Sequence, residues 1–165
     1  MAANTFTFRA ADLQDTDRFG AALAQLLPDG TTVCLSGTLG AGKTRLVQAI
    51  AAACGVNRAD VVSPTFVLCQ QYSATRRINH LDAYRIRDDD EFLEIGVDEM
   101  FGSDGLTLVE WGERVRVCLP PDHVDIQIDV LGELERSFRV TPQCDAAPDL
   151  CEQLRNCLGS YTSRG

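Results

Sequence analysis

The chain has 165 residues, 45% of them hydrophobic and 24% charged, which is room for one domain with a sizeable core. Its net charge of −9 excludes a protein that clamps nucleic acid unaided, since such binding rests on clustered Lys and Arg. No apolar run approaches the ~20 residues of a membrane span, and Met1-Ala2-Ala3-Asn4-Thr5 lacks the basic-then-apolar order of a secretion signal.

Thr5 to Phe8 predicts an opening strand. Asp12 then caps a helix whose apolar face is Leu13, Phe19, Ala22, Leu23, Leu26 and Leu27. Pro28-Asp29-Gly30 turns the chain into a short buried strand, Thr32 to Ser36. Thr44 to Ala53 has helical spacing at Leu46, Ala49, Ile50 and Ala53, with Gly55 as the stop. Val61 to Ser63 is extended, and Pro64 blocks helix there. Thr65 to Tyr72 and Arg77 to Leu81 predict a hairpin around Ser73-Ala74-Thr75. Asp88 to Glu99 predicts one or two short helices broken at Gly96. A turn at Gly102 to Gly105 leads to the strand Leu106 to Val109. Val124 to Val130 pairs with Ser137 to Thr141 through Gly132, Asp149 to Leu158 forms a last helix, and residues 159–165 fray. The hairpin interrupts strand–helix alternation, so a mixed sheet is expected rather than a purely parallel one.

Between the second strand and second helix lies Gly37-Thr38-Leu39-Gly40-Ala41-Gly42-Lys43-Thr44. It matches the phosphate-binding loop G-x-x-x-x-G-K-[ST] at every fixed position. Glycines let backbone N–H groups cradle phosphate oxygens. The lysine carries charge to the β/γ-phosphates, and the threonine offers a hydroxyl to Mg²⁺. Lys43 is the only lysine beside fourteen arginines, so lysine was not a favoured surface residue. The seven cysteines, at 34, 54, 69, 118, 144, 151 and 157, are odd in number and contain no C-x-x-C. They read as mostly small core residues in a reducing cytoplasm, without a zinc site or disulfide framework.

A phosphate loop needs a carboxylate for its metal shell, usually at the end of an apolar strand. Glu110 follows Leu106-Thr107-Leu108-Val109, and Asp82 follows the less apolar Ile78-Asn79-His80-Leu81; the sequence leaves both open. The hydroxyls of Ser63-Pro64-Thr65-Phe66 fit a γ-phosphate-sensing switch or a rigid turn. Trp111, the sole tryptophan, is either a core ring or a cover over the phosphates. His80 and His123 have no metal-ligand spacing between them, and His123, after Pro120-Pro121-Asp122, reads as a loop residue. Asp88 to Glu91 reads as a solvated helix N-terminus.

Taken in order, the loop, Ser63-Pro64-Thr65-Phe66, His80-Leu81-Asp82-Ala83-Tyr84-Arg85 and Val109-Glu110-Trp111 resemble the TsaE (YjeE) family, small ATPases of bacterial tRNA threonylcarbamoyladenosine biosynthesis. The resemblance implies a single P-loop NTPase-like α/β domain over 1–165, a mixed central sheet flanked by helices, and a cytoplasmic protein. It implies binding of ATP or ADP with Mg²⁺, and partners homologous to TsaB and TsaD, which handle the tRNA. Carried over by position, the backbone of Leu39, Gly40, Ala41 and Gly42, with Lys43 and Thr44, binds the nucleotide. Thr65 belongs to the switch, Asp82 and Glu110 to the catalytic and metal-binding set with Thr44, and Trp111 lies at the nucleotide. Arg136 matches a late nucleotide-contacting arginine and Thr16 an early nucleotide contact. Gly112 stands where relatives often have proline.

Rival readings are a small phosphate-loop kinase with lid arginines from Arg76-Arg77 or Arg114 and Arg116, and a scaffold that binds ATP without turnover. A GTPase is disfavoured, because the single lysine excludes an N-K-x-D base loop.

Overall fold

The structure, a computed structural model, describes residues 4–64, 68–102 and 104–159. Strands β1 (Phe6–Ala10), β2 (Thr31–Ser36), β3 (Cys69–Ser73), β4 (Arg77–Asp82), β5 (Leu106–Glu110), β6 (His123–Val130) and β7 (Arg136–Pro142) form one sheet. Their order is β1-β7-β6-β2-β5-β4-β3. The centre is parallel, β2 lying between β5 and β6 with β4 beyond β5. The β1–β7, β6–β7 and β3–β4 pairs are antiparallel. The expected β3–β4 hairpin, together with the β6–β7 and β1–β7 pairs, makes the sheet mixed.

Helices α1 (Leu13–Leu26), α2 (Lys43–Ala53) and α4 (Leu150–Leu158) contribute to one apolar layer. In it Val33, Leu35, Leu106, Leu108, Ile126 and Val140 of the sheet meet Phe19 and Leu23 of α1, Leu46 and Ile50 of α2, and Leu154 of α4. Asp12 starts α1 by accepting from the Asp15 amide at 2.9 Å. Phe19 is fully buried between Phe8 and Phe138, its ring centroid 5.4 and 4.7 Å from theirs. Truncating it to Ala should cost about 3–5 kcal/mol. A second, smaller core lies on the other face. There Cys34, Leu81 and Val109 pack against Phe92 of α3 (Asp89–Leu93), Val97, and Val115 of a 3-10 segment, Gly112–Cys118.

Two local expectations need correction. The strand expected from Thr65 starts at Cys69, because Leu68 has a left-handed backbone (φ 64) and its amide closes a turn onto Pro64 O at 2.6 Å; residues 65–67 lie outside those described. His123 is not a loop residue: it is the buried first residue of β6, with Nδ1 2.6 Å from Pro120 O. The break at Gly96 is as expected, its φ of 85° separating α3 from a 3-10 turn at Val97–Glu99. Of the expected tail, Gly159 caps α4 and Ser160 to Gly165 lie outside the described residues. All seven cysteines are free; Cys34, Cys54 and Cys151 are buried, while Cys144 and Cys157 are exposed. No helix among the described residues is long and apolar enough to cross a membrane.

Candidate nucleotide-binding site

The parallel strands β2, β5 and β4 end together, and the chemistry collects at their carboxyl ends, where ligands of open α/β sheets bind. Beyond Ser36 the chain turns into α2, which begins at Gly42. Gly42 has φ 107°, a conformation that favours glycine, and offers no side chain to cap the helix. The helix start therefore presents its positive end uncapped by any side chain. A cavity of about 450 Å³ opens here, walled by residues 39–45, Ser63, Asp82, Tyr84, Glu110 and Trp111.

Lys43 is buried. Its Nζ donates to the loop carbonyls of Gly37 at 2.7 Å and Thr38 at 3.0 Å, and lies 3.9 Å from the centroid of the Trp111 ring. Burial pushes its ammonium down, while Glu113, Glu110 and Asp82 pull it back up. Opposite it, parallel pairing sets Asp82 directly beside Glu110. Thr44 Oγ1 lies 2.8 and 3.0 Å from the two Glu110 carboxylate oxygens. Glu110 Oε2 is also 2.5 Å from His80 Nε2. Asp82 accepts from Ser63 Oγ at 2.7 Å and from the Tyr84 amide at 2.8 Å.

The indole is placed by its backbone. Trp111 has φ 58°, a left-handed conformation costly for a bulky residue. The next residue, Gly112, packs so closely on β2 that a Cβ there would lie 2.5 Å from Cys34 Sγ. Tyr84 faces the indole at 5.0 Å between ring centroids, and Arg114 donates to Tyr84 O with its guanidinium 5.4 Å from the Tyr84 ring centroid.

Leu39, Gly40, Ala41, Gly42, Lys43, Thr44, Asp82, Glu110 and Trp111 thus come together at one cavity. Arg136 and Thr16 are not in its wall. Arg136 holds the loop from behind, Nε donating to Ala41 O at 2.8 Å and Nη1 to Gly132 O at 2.8 Å. Thr16 is buried in α1, its hydroxyl 3.5 Å from Asp12 O. Thr65 lies outside the described residues. Of the arginines considered as lids, Arg76 is held by Asp29 and Ala24 O, and Arg116 by Asp125. Three wall or supporting residues have no site role in the sequence reading. Arg45 is held by Asp17 at 2.7 Å, and the Tyr84 ring lies against Trp111 with its plane tilted by 40°. His80 is two residues before Asp82 and so shares its face of β4, the spacing that would have found it.

The donor set fits a magnesium-bound polyphosphate. The loop and Lys43 supply positive charge at an uncapped helix start. Across the cavity one hydroxyl and two carboxylates supply hard oxygen donors, the kind Mg²⁺ takes alongside substrate phosphates.

Fold and site together define a phosphate-loop α/β protein. A family model, threonylcarbamoyl adenosine biosynthesis protein TsaE, matches residues 10–138. Proteins named tRNA threonylcarbamoyladenosine biosynthesis protein TsaE are similar over most of the chain. The Treponema pallidum protein is 38% identical over 127 residues, covering 77% of this chain and 93% of that one. The Bacillus subtilis protein is 32% identical over 148 residues, covering 89% and 92%. The crystal structure of Bacillus subtilis YdiB superposes with a TM-score of 0.80 at 27% identity, covering 94% of this chain and 97% of that one. The chain belongs to the TsaE family of tRNA threonylcarbamoyladenosine biosynthesis proteins.

Proposed function

We propose that this protein is a magnesium-dependent ATPase, a single P-loop domain working in the cytoplasm with homologues of TsaB and TsaD. Its ATP hydrolysis would drive or reset the complex that modifies tRNA next to the anticodon. The observation that carries the reading is the direct contact of Thr44 with Glu110 across a cavity that also holds Lys43. A loop hydroxyl and a strand-end carboxylate are the two protein groups that hold Mg²⁺ in phosphate-loop hydrolases.

In this reading Lys43 and the start of α2 bind the β/γ-phosphates, and Arg136 keeps the loop in shape through Ala41 O. Thr44 and Glu110 hold the metal, and Asp82, fixed by Ser63 and the Tyr84 amide, orients water in its shell. Trp111 covers Lys43 and excludes bulk water from it. Mg²⁺ supplies charge neutralisation on the phosphate oxygens. The net charge of −9 suits a subunit that leaves the tRNA to its partners.

The test is ATP hydrolysis by the purified chain alone and with its own TsaB and TsaD homologues, beside calorimetric titration of ADP with Mg²⁺. Slow turnover alone and faster turnover with partners is expected. Absence of nucleotide binding would sink the reading. Fast, unaided phosphorylation of a small molecule would replace it with a kinase.

A further inference from the structure

His80 lies in the middle of the sheet, fully buried between β3 and β5. Hydrophobic strands normally fill such a position with Val, Ile or Leu. Its Nε2 is 2.5 Å from Glu110 Oε2. Its other ring nitrogen, Nδ1, is buried without a hydrogen-bond partner among the described residues. A carboxylate accepts and does not donate, so the proton of this contact sits on Nε2, and Nδ1 is left without a partner. An unsatisfied buried polar atom of this kind is destabilising. A leucine would avoid that cost, so packing does not account for the histidine.

The carboxylate that His80 touches is the one that meets Thr44. Glu110 takes a hydroxyl from one side and an imidazole from the other. Together the two contacts hold a flexible glutamate against the loop. Asp82, by contrast, is held by Ser63 and the backbone amide of Tyr84 and not by His80.

We infer that His80 is a positioning residue: its Nε2–H fixes the Glu110 carboxylate against Thr44 and thereby preforms the magnesium position. This rests on the nucleotide–magnesium reading of the cavity. Hydrogen bonds that orient a metal-holding group typically carry 10–100-fold in metal affinity, so the interaction should appear in magnesium dependence before it appears anywhere else.

The experiment compares wild type, His80→Gln, His80→Asn and His80→Leu. A glutamine amide reaches the place of Nε2, whereas an asparagine amide reaches only the place of Nδ1. ADP affinity is measured by calorimetry in EDTA and across a Mg²⁺ series, with melting temperatures recorded without nucleotide. His80→Leu and His80→Asn should bind ADP in EDTA within about twofold of wild type but need about tenfold more Mg²⁺ for the metal-dependent gain. His80→Gln should restore most of it. A lowered melting temperature with an unchanged Mg²⁺ requirement would make His80 a core residue only and overturn the inference while leaving the ATPase reading intact. Wild type that binds no ADP, or binds it without a Mg²⁺ effect, would overturn both. One measurement needs no variant to fold: a long-range ¹H–¹⁵N spectrum of the wild-type histidines. The Nε2–H tautomer at His80 is expected, and an Nδ1–H tautomer there would overturn the inference.

Discussion

Two histidine–carboxylate pairs sit on this sheet, His80 with Glu110, both buried, and His123 with Asp125, the latter only partly buried. They differ in what compensates the acid. Asp125 is 2.9–3.0 Å from the Arg116 guanidinium through both oxygens, 2.8 Å from the Gln143 amide and 3.4 Å from His123. Burial raises its pKa and these partners overcome that, holding it at about 2. Its charge is matched within the protein, and the cluster ties the Gly112–Cys118 segment to β6. Among the described residues Glu110 bonds a hydroxyl and an imidazole, and the nearby ammonium of Lys43 is bonded to loop carbonyls instead. The same residue types therefore make a closed structural knot in one place and a carboxylate suited to an outside cation in the other.

The comparison breaks most visibly at the loop. Lys43→Ala should weaken ADP binding by at least tenfold, through loss of a charge-assisted contact of roughly 1.5–3 kcal/mol or more. The single tryptophan gives a second readout. Adenine nucleotides should change Trp111 emission saturably in wild type, more than guanine nucleotides do, and not in Lys43→Ala. Wild-type affinity in the variant would remove the loop from the site. Next in size is Glu110→Gln, which keeps shape and removes charge. It should retain ADP binding in EDTA and lose most Mg²⁺-dependent hydrolysis, assayed with partners. Unchanged turnover would move the metal role to Asp82.

What the sequence made legible follows from where the physics is local. The loop was legible because its glycines, lysine and threonine are fixed by consecutive spacing, and β2 and α2 by their periodicity. Glu110 and Asp82 were both legible as strand ends. Their adjacency was not, because it depends on the parallel register of β4 with β5. The resemblance marks Arg136 as a nucleotide contact, and its bond to Ala41 O spans 95 residues of chain. No local pattern encodes that distance. His123 was misread because two prolines before it signal a loop, while its burial is decided by β2 on one side and β7 on the other.

The structural knot should behave in the opposite way to the cavity. Asp125→Asn should leave ADP affinity and its Mg²⁺ dependence unchanged but lower stability by on the order of 2 kcal/mol at neutral pH. At this size that is about 2–4 °C in melting temperature per kcal/mol. The folded value of Asp125 is depressed, so its contribution is present above the unfolded value of about 3.9 and is lost as pH falls through about 2. The gap between wild type and variant should therefore close between roughly pH 4 and pH 2. A gap that persists at pH 2 would mean that the stabilisation is not tied to the ionised carboxylate.

The smallest effect comes from His123, and its sign runs the other way. The contact with Asp125 raises its pKa, burial opposes this, and Pro120 O helps. At 3.4 Å the Asp125 contact is an ion-pair approach more than an aligned hydrogen bond, so a modest energy is expected. A group whose folded value is raised stabilises fully below its unfolded value, about 6.5 for histidine, and the benefit is lost as pH rises through the folded value. Wild type should lose stability relative to His123→Gln as pH rises from about 6 to above that value, while Asp125, ionised throughout, contributes a constant background. Denaturant midpoints of the two proteins, measured in the same buffers, give the difference directly. A difference that stays flat across this window would assign His123 to packing and its bond to Pro120 O alone, and would leave Arg116 and Gln143 as the groups that close the knot.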